Sequence, residues 1–292
     1  MADAKPTILL THPYCWPHVR RGTERNMDGL GTWLYSQGYP VTTHSSHPGA
    51  YCEEQTGAGR RVLYPQRWHP LLGKVRIQPL HSFLVSAWQG IRAEHPDIVH
   101  SFHFNDALVA QSLAKKRDYR HLFQINGTPL PGGFRRFLPP DRSIVRRAIL
   151  GTQLMLTCSG FCRDLIFEHY GVESEVIVPP VDVERFQPGP GPADGAPPVL
   201  LAVGDLNQPN KGLRVLLEAF ALLRQRGSEA RLQLSGRLSA ENQASAFAGL
   251  PEPVRKHIEV LGLGQPEDLP RQYAGASLLV LPSVWEASGS VM

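Results

Sequence analysis

The stretch VLLAVGDLNQPNKGLRVLLEAFALLRQRG (residues 199–227) decides the fold. It opens on a short apolar run, the pattern of a strand buried on both faces. Gly204 closes that run, a polar loop follows, and Lys211-Gly212 opens a long helix that Gly227 ends. Strand, loop and helix in that order begin a Rossmann-like α/β unit. The loop is also a natural anion site, because a helix N-terminus offers unpaired N–H groups and partial positive charge, to which Lys211 adds a full one. On these residues alone, an ordinary solvated helix start is an equal reading.

The same alternation continues downstream. ARLQLSG reads as a strand, 240–249 as a helix, HIEVLG as a strand, EDLPRQYAGA as a helix and SLLVLPS as a buried strand, Leu278 to Leu281. Upstream, FQPGPGPADGAPP (186–198) is too rich in Pro and Gly for a helix or an inner strand, so it marks a boundary. Before it the pattern appears a first time. TILLT, YPVTTH, DIVHSF, RHLFQING, QLMLTCS and SEVIVPP read as strands, with helices between them. In the first helix Met27, Leu30 and Leu34 recur at helical spacing, and Gly38 sits at its expected C-cap. The chain is therefore expected to hold an N-terminal domain at 1–190, a linker at 191–198 and a C-terminal domain at 199–292. Both domains are doubly wound α/β and face a cleft, where such folds bind ligands.

Composition narrows the function classes. A net charge of +4, with basic clusters scattered among acids, gives no nucleic-acid footprint. The apolar run near the N-terminus is too short for a signal peptide, and no stretch approaches the roughly 18 apolar residues of a membrane span. The expectation is a soluble, cytoplasmic protein. Cys158 and Cys162 stand at C-x3-C with no second pair, poor spacing for zinc, and read as buried thiols. THSSHP (43–48) reads as a polar loop after a strand rather than a metal site. GGFRRFLPPDRSIVRRAIL (132–150) reads as a loop leading into a helix, with membrane-surface contact as the lesser alternative.

No G-x-G-x-x-G follows the first strand of either half, which disfavours a nicotinamide or flavin enzyme. The last residues, LPSVWEASGSVM, bring a carboxylate, Glu286, to a strand end ahead of Gly289 and Ser290, a ligand-facing corner. In order along the chain, RRGTERNMDGLGTWLYSQGYPV, PDIVHSFH, TCSGFCRDLIFEHYG with VIVPPVDVERFQP, LLAVGDLNQPNKGLRVLLEAFALL and EDLPRQYAGASLLVLPSVWEASG resemble the retaining glycosyltransferases of the family-4 type, which have the GT-B fold.

That resemblance implies a nucleotide-diphosphate sugar as co-substrate, no metal or other cofactor, and retention of configuration. It assigns Lys211 to the diphosphate, Glu286 to the donor sugar's hydroxyls, and Gly289 and Ser290 to backbone N–H donors at a helix start. Gly204 falls in the donor loop, and Gly22 in the loop that approaches donor and acceptor, with Glu24 in the same motif. His103 matches the histidine near the donor sugar, with His100 the other candidate. No dedicated protein base is expected. The family's second motif glutamate would fall past Met292, so the resemblance implies an incomplete donor domain.

Several positions depart from the family pattern. Asp205 stands where relatives carry a cation, and Arg237 is a candidate to replace it. Arg21-Gly22 replaces a glycine pair, Ala287-Ser288 replaces Gly-Phe, and Asn126 holds a position that is often His. The acceptor, whether saccharide, lipid or small molecule, is not legible, because 47–80 and 127–140 match nothing specific. Two rival readings are a binding protein that has lost donor chemistry and another GT-B sugar-nucleotide enzyme, such as an epimerase or a phosphorylase.

Overall fold

A computed structural model of the chain describes residues 4–66, 79–127, 139–189 and 191–289. The chain forms two compact units, divided between Pro179 and Pro180. The sequence reading carried the first domain to residue 190. In the structure, the Arg185 guanidinium donates to the Pro266 carbonyl (2.5 Å) and Phe186 lies edge-to-face on Tyr273 at 5.8 Å. The stretch after Pro180 therefore packs with the second unit.

The first unit is built on an eight-stranded sheet of β1 (Ile8–Thr11), β2 (Val41–His47), β3 (Cys52–Thr56), β4 (Gly59–Pro65), β5 (Ile98–Ser101), β6 (Arg120–Ile125), β7 (Leu154–Thr157) and β8 (Glu175–Val176), in the order β3-β4-β2-β1-β5-β6-β7-β8. Every pairing is parallel except β3 with β4. The connecting helices are α1 (Gly22–Ser36), α2 (Pro79–Glu94), α3 (Phe104–Ala114), α4 (Pro139–Leu150) and α5 (Gly160–Tyr170). All four residues of β1 are buried, as a central strand covered on both faces requires. Met27 is buried against it, with Leu30 and Leu34 packed alongside.

One expectation fails here. THSSH is not a loop but the body of β2, and His44, Ser45 and Ser46 are buried. Remote partners meet their polarity except at the buried His44 Nδ1: Ser46 Oγ donates to the Pro13 carbonyl (2.5 Å), Ser45 Oγ to the Tyr14 carbonyl (3.3 Å), and His44 Nε2 pairs with Glu94 (3.3 Å). The part of 47–80 that is described forms a hairpin, β3 and β4, adding an antiparallel edge.

The second unit has a four-stranded parallel sheet, β11-β10-β9-β12, from β9 (Val199–Asp205), β10 (Arg231–Arg237), β11 (Ile258–Gly262) and β12 (Leu278–Leu279). After β9 come a 3-10 turn at Pro209–Lys211 and α6 (Leu213–Gln225); α7 (Ala240–Phe247), α8 (Glu252–Arg255) and α9 (Asp268–Gly275) follow. Leu213, Leu216, Leu217 and Phe220 form one buried face of α6, packed on Ala202, Leu232 and Leu234 of the sheet. The strand expected to be buried over 278–281 pairs only at Leu278 and Leu279, and Leu278 is 58% exposed. β9 is covered on its other side by β10, whereas β12 has β9 as its sole strand neighbour among the described residues.

Candidate functional site

In each unit the chemistry-bearing residues gather at the carboxyl ends of parallel strands, where helix N-termini converge and open α/β sheets take ligands.

In the first unit, His103 follows β5 and caps α3. Its Nδ1 accepts from the Asn105 N–H (3.3 Å), while the buried Asp106 carboxylate accepts from the Phe102 and His103 N–H groups (3.1 and 3.4 Å). This capping box fixes the ring and leaves the proton of a neutral imidazole on Nε2. Burial, reinforced by His12, Arg21 and His81, pushes the His103 pKa down to about 3. At neutral pH His103 is thus an uncharged N–H donor. His12, the first residue beyond β1, meets its ring edge-on with centroids 5.7 Å apart. His12 is itself buried, with Nδ1 against the Tyr14 carbonyl (2.8 Å) and a pKa pushed down to about 4, chiefly by burial. The sequence reading gave His12 no site role. A histidine immediately after the first strand of such a sheet was the signal available.

His100, the other candidate, is buried elsewhere. It stacks on Phe102 at 4.3 Å, its pKa is pushed down to about 4 by burial, and it does not join the His12–His103 pair. Gly22 is the first residue of α1, and a Cβ there would meet nothing within 4 Å, so this corner is open. Glu24 is buried, with Oε1 accepting from the Arg21 guanidinium and Oε2 without a partner. Asn126 Oδ1 accepts from Gln124 (3.0 Å) and Asn26 (3.4 Å), leaving its buried Nδ2 unpaired.

The second unit joins Lys211 to Glu286. Lys211 Nζ donates to Glu286 Oε1 at 2.6 Å, with both side chains largely buried. The juxtaposition has a backbone cause. Gly212 has φ +69, and a Cβ there would run into the Pro282 carbonyl, so only glycine lets the 282–286 segment dock on the 209–212 turn. The Val284 N–H then donates to the Asn210 carbonyl (2.8 Å). Gly204, at φ +150, lies under the Lys211 stem: a Cβ there would stand 3.9 Å from the Lys211 Cε. Ser283 Oγ, at the same corner, is buried without a partner.

Asp205 accepts from the Asn207 backbone and side chain (3.3 Å each) and from Gln208 (3.2 Å), so the unexpected acid closes the turn leading to Lys211. Arg237 is exposed and sits opposite Asp205 in the register of β9 and β10. Gly289 is buried at φ +58, and the chain is not helical from Glu286 through Gly289, so the expected helix has not begun there. Ser290 lies outside the described residues. Among the described residues no group of three or more His, Cys, Asp or Glu is arranged to hold a metal ion, and no helix is long and apolar enough to cross a membrane.

Residues 20–185 match the model of glycosyltransferase family 4, and residues 197–292 match that of the glycosyl transferases group 1. The chain belongs to glycosyltransferase family 4. The two matched ranges contain Gly22, His103, Lys211 and Glu286, whereas His12 precedes the first. Among curated proteins it is 30% identical over 148 residues to mannosylfructose-phosphate synthase of Agrobacterium fabrum, a match that covers 43% of this chain and 32% of that one. The chain thus aligns with about a third of that relative's length. Solved structures establish the GT-B fold. Sucrose-phosphate synthase from Thermosynechococcus elongatus superposes with a TM-score of 0.76 at 16% identity, covering 98% of this chain and 78% of that one. The catalytic domain of starch synthase IV from Arabidopsis thaliana, bound to ADP and acarbose, gives 0.71 at 14% identity, covering 98% and 80%.

Proposed function

We propose that the protein moves a sugar from a nucleotide-diphosphate sugar to a hydroxyl of its acceptor, with retention and without a metal ion. The observation that carries this reading is the Lys211–Glu286 pair at the strand-end corner of the second unit, in a chain of family 4. Departure of the sugar builds negative charge on the diphosphate, and Lys211, with the N–H groups opening α6, is preorganised to meet it. Glu286 is suited to accept hydrogen bonds from the donor sugar; in the first unit, the neutral His103 offers an Nε2 donor to a substrate hydroxyl. Retention follows if the departing phosphate oxygen itself takes the acceptor proton, which asks for no protein base. A related fold bound to UDP and glucose supports the same ligand class.

The test is release of nucleoside diphosphate from UDP-, ADP- and GDP-linked glucose and mannose, with and without hexose and hexose-phosphate acceptors. Lys211→Ala is expected to lower turnover by about 10²–10³, as loss of one preorganised partner of a growing charge does. Failure of the wild-type protein both to bind any of these nucleotides and to release diphosphate would overturn the reading.

A further inference from the structure

Cys158 and Cys162 lie outside the machinery described above, yet at the same edge of the first sheet. Cys158 directly follows β7, Ser159 caps α5, and Cys162 stands in the first turn of that helix, its N–H donating to Ser159 Oγ (3.2 Å). Both thiols are buried, and their sulfur atoms are 3.7 Å apart. The Cys162 sulfur also lies 3.7 Å from the Gly127 carbonyl, next to Asn126 at the end of β6. We infer that Cys158 and Cys162 are a dithiol–disulfide pair, closed by hydroperoxide at the ligand-facing edge of the first unit.

Three features support it. A disulfide needs the sulfurs about 2.05 Å apart, so side-chain rotation has little distance to close. The Cys158 thiol donates to Cys162, and with the Ser159 hydroxyl it pulls the Cys162 pKa down to about 7 against the opposing effect of burial. The start of α5 further favours a thiolate there. By contrast, burial pushes the Cys15 thiol up to about 11, and among the described residues no other cysteine has a thiol partner.

The chemistry closes without a further reactant. The Cys162 thiolate attacks hydrogen peroxide, giving Cys162 sulfenic acid and hydroxide. The Cys158 sulfur then attacks the sulfenic sulfur; its proton and the sulfenic oxygen leave as water, and the disulfide remains.

The experiment treats the folded full chain with a slight excess of hydrogen peroxide near neutral pH, quenches, denatures, alkylates and digests with trypsin. Both cysteines fall in one peptide, 148–163. That peptide should lose the mass of two hydrogens and both alkylation sites together, and dithiothreitol should restore them. Cys158→Ser should halt at a dimedone-trappable sulfenic acid on Cys162, while Cys162→Ser should slow oxidation of Cys158 roughly tenfold or more, as loss of the low-pKa thiolate requires. Oxidation confined to Cys52, or oxidation of Cys162 while Cys158 stays fully alkylatable in the wild-type chain, would overturn the inference.

Discussion

Lowering the pH to about 5 should unfold the first unit selectively, through three buried histidines. His12, His100 and His121 are almost wholly shielded from solvent, and burial is the leading cause that depresses their pKa values to about 4, 4 and 3. In the unfolded chain each titrates near 6.5. The unfolded state therefore binds more protons throughout the window between 6.5 and the folded values, and stability must fall as pH drops through it. At pH 5 an exposed histidine gains a factor of about 30 from protonation that the buried one forgoes, which is about 2 kcal/mol per residue. Three such residues sum to about 6 kcal/mol, comparable with the whole stability of a domain. Asp106 opposes this, because burial raises its carboxyl pKa and protonation on acidification relieves a buried charge. Glu94 adds to the loss only once the pH falls below its ordinary value of 4.5, since its bond to His44 and its pairing with Arg60 lower its pKa.

Hydrogen exchange followed peptide by peptide separates the two units. Protection of β1, β5 and β6 should collapse between pH 7 and 5, while that of β9 and β10 persists. His121→Gln, which keeps a partner for Ser101 Oγ (3.2 Å from His121 Nε2) but cannot titrate, should flatten the pH slope by up to about 1.4 kcal/mol per unit. Protection in the first unit that is unchanged at pH 5, or His121 titrating near 6.5 by NMR in the folded protein, would refute the reasoning.

Glu286→Gln removes the counter-charge held 2.6 Å from Lys211, so sugar transfer should fall while calorimetry shows free nucleoside diphosphate binding more tightly. Weakened nucleotide binding would instead make Glu286 a purely structural partner of the lysine. Gly212→Ala drives a methyl group into the Pro282 carbonyl at a left-handed φ, a conformation that costs a non-glycine residue about 1–3 kcal/mol. It should lower the melting temperature of the second unit and weaken nucleotide binding together; a change in neither would mean the 282–286 segment docks by other contacts. His103→Asn retains a side-chain acceptor for the α3 cap but loses the Nε2 proton. Transfer should drop with little change in melting temperature, whereas His103→Leu should lower both.

Local patterns carried much of the architecture. The apolar face of α6 and the apolar run of β9 are period and composition, properties of consecutive residues, and they identify a doubly wound domain before any contact is known. The order of motifs likewise brought Lys211, Glu286, Gly22 and His103 forward as site residues. What failed to read from sequence depends on partners remote in the chain. His44, Ser45 and Ser46 look like a loop because buried polar groups cost free energy, and that cost is offset only by Pro13, Tyr14 and Glu94, which no local pattern reveals. His12 gains its neutral, fixed state from burial and from a ring 91 positions away. The strand at Leu278 reads as buried from its apolar side chains, yet its exposure is set by which elements lie over it. The 2.6 Å meeting of Lys211 and Glu286 spans 75 positions and depends on one backbone approach that Gly212 alone permits. Periodicity in the sequence reports which residues turn inward; the tertiary structure decides what they meet there, because burial, charge pairing and close backbone contact are properties of the folded neighbourhood.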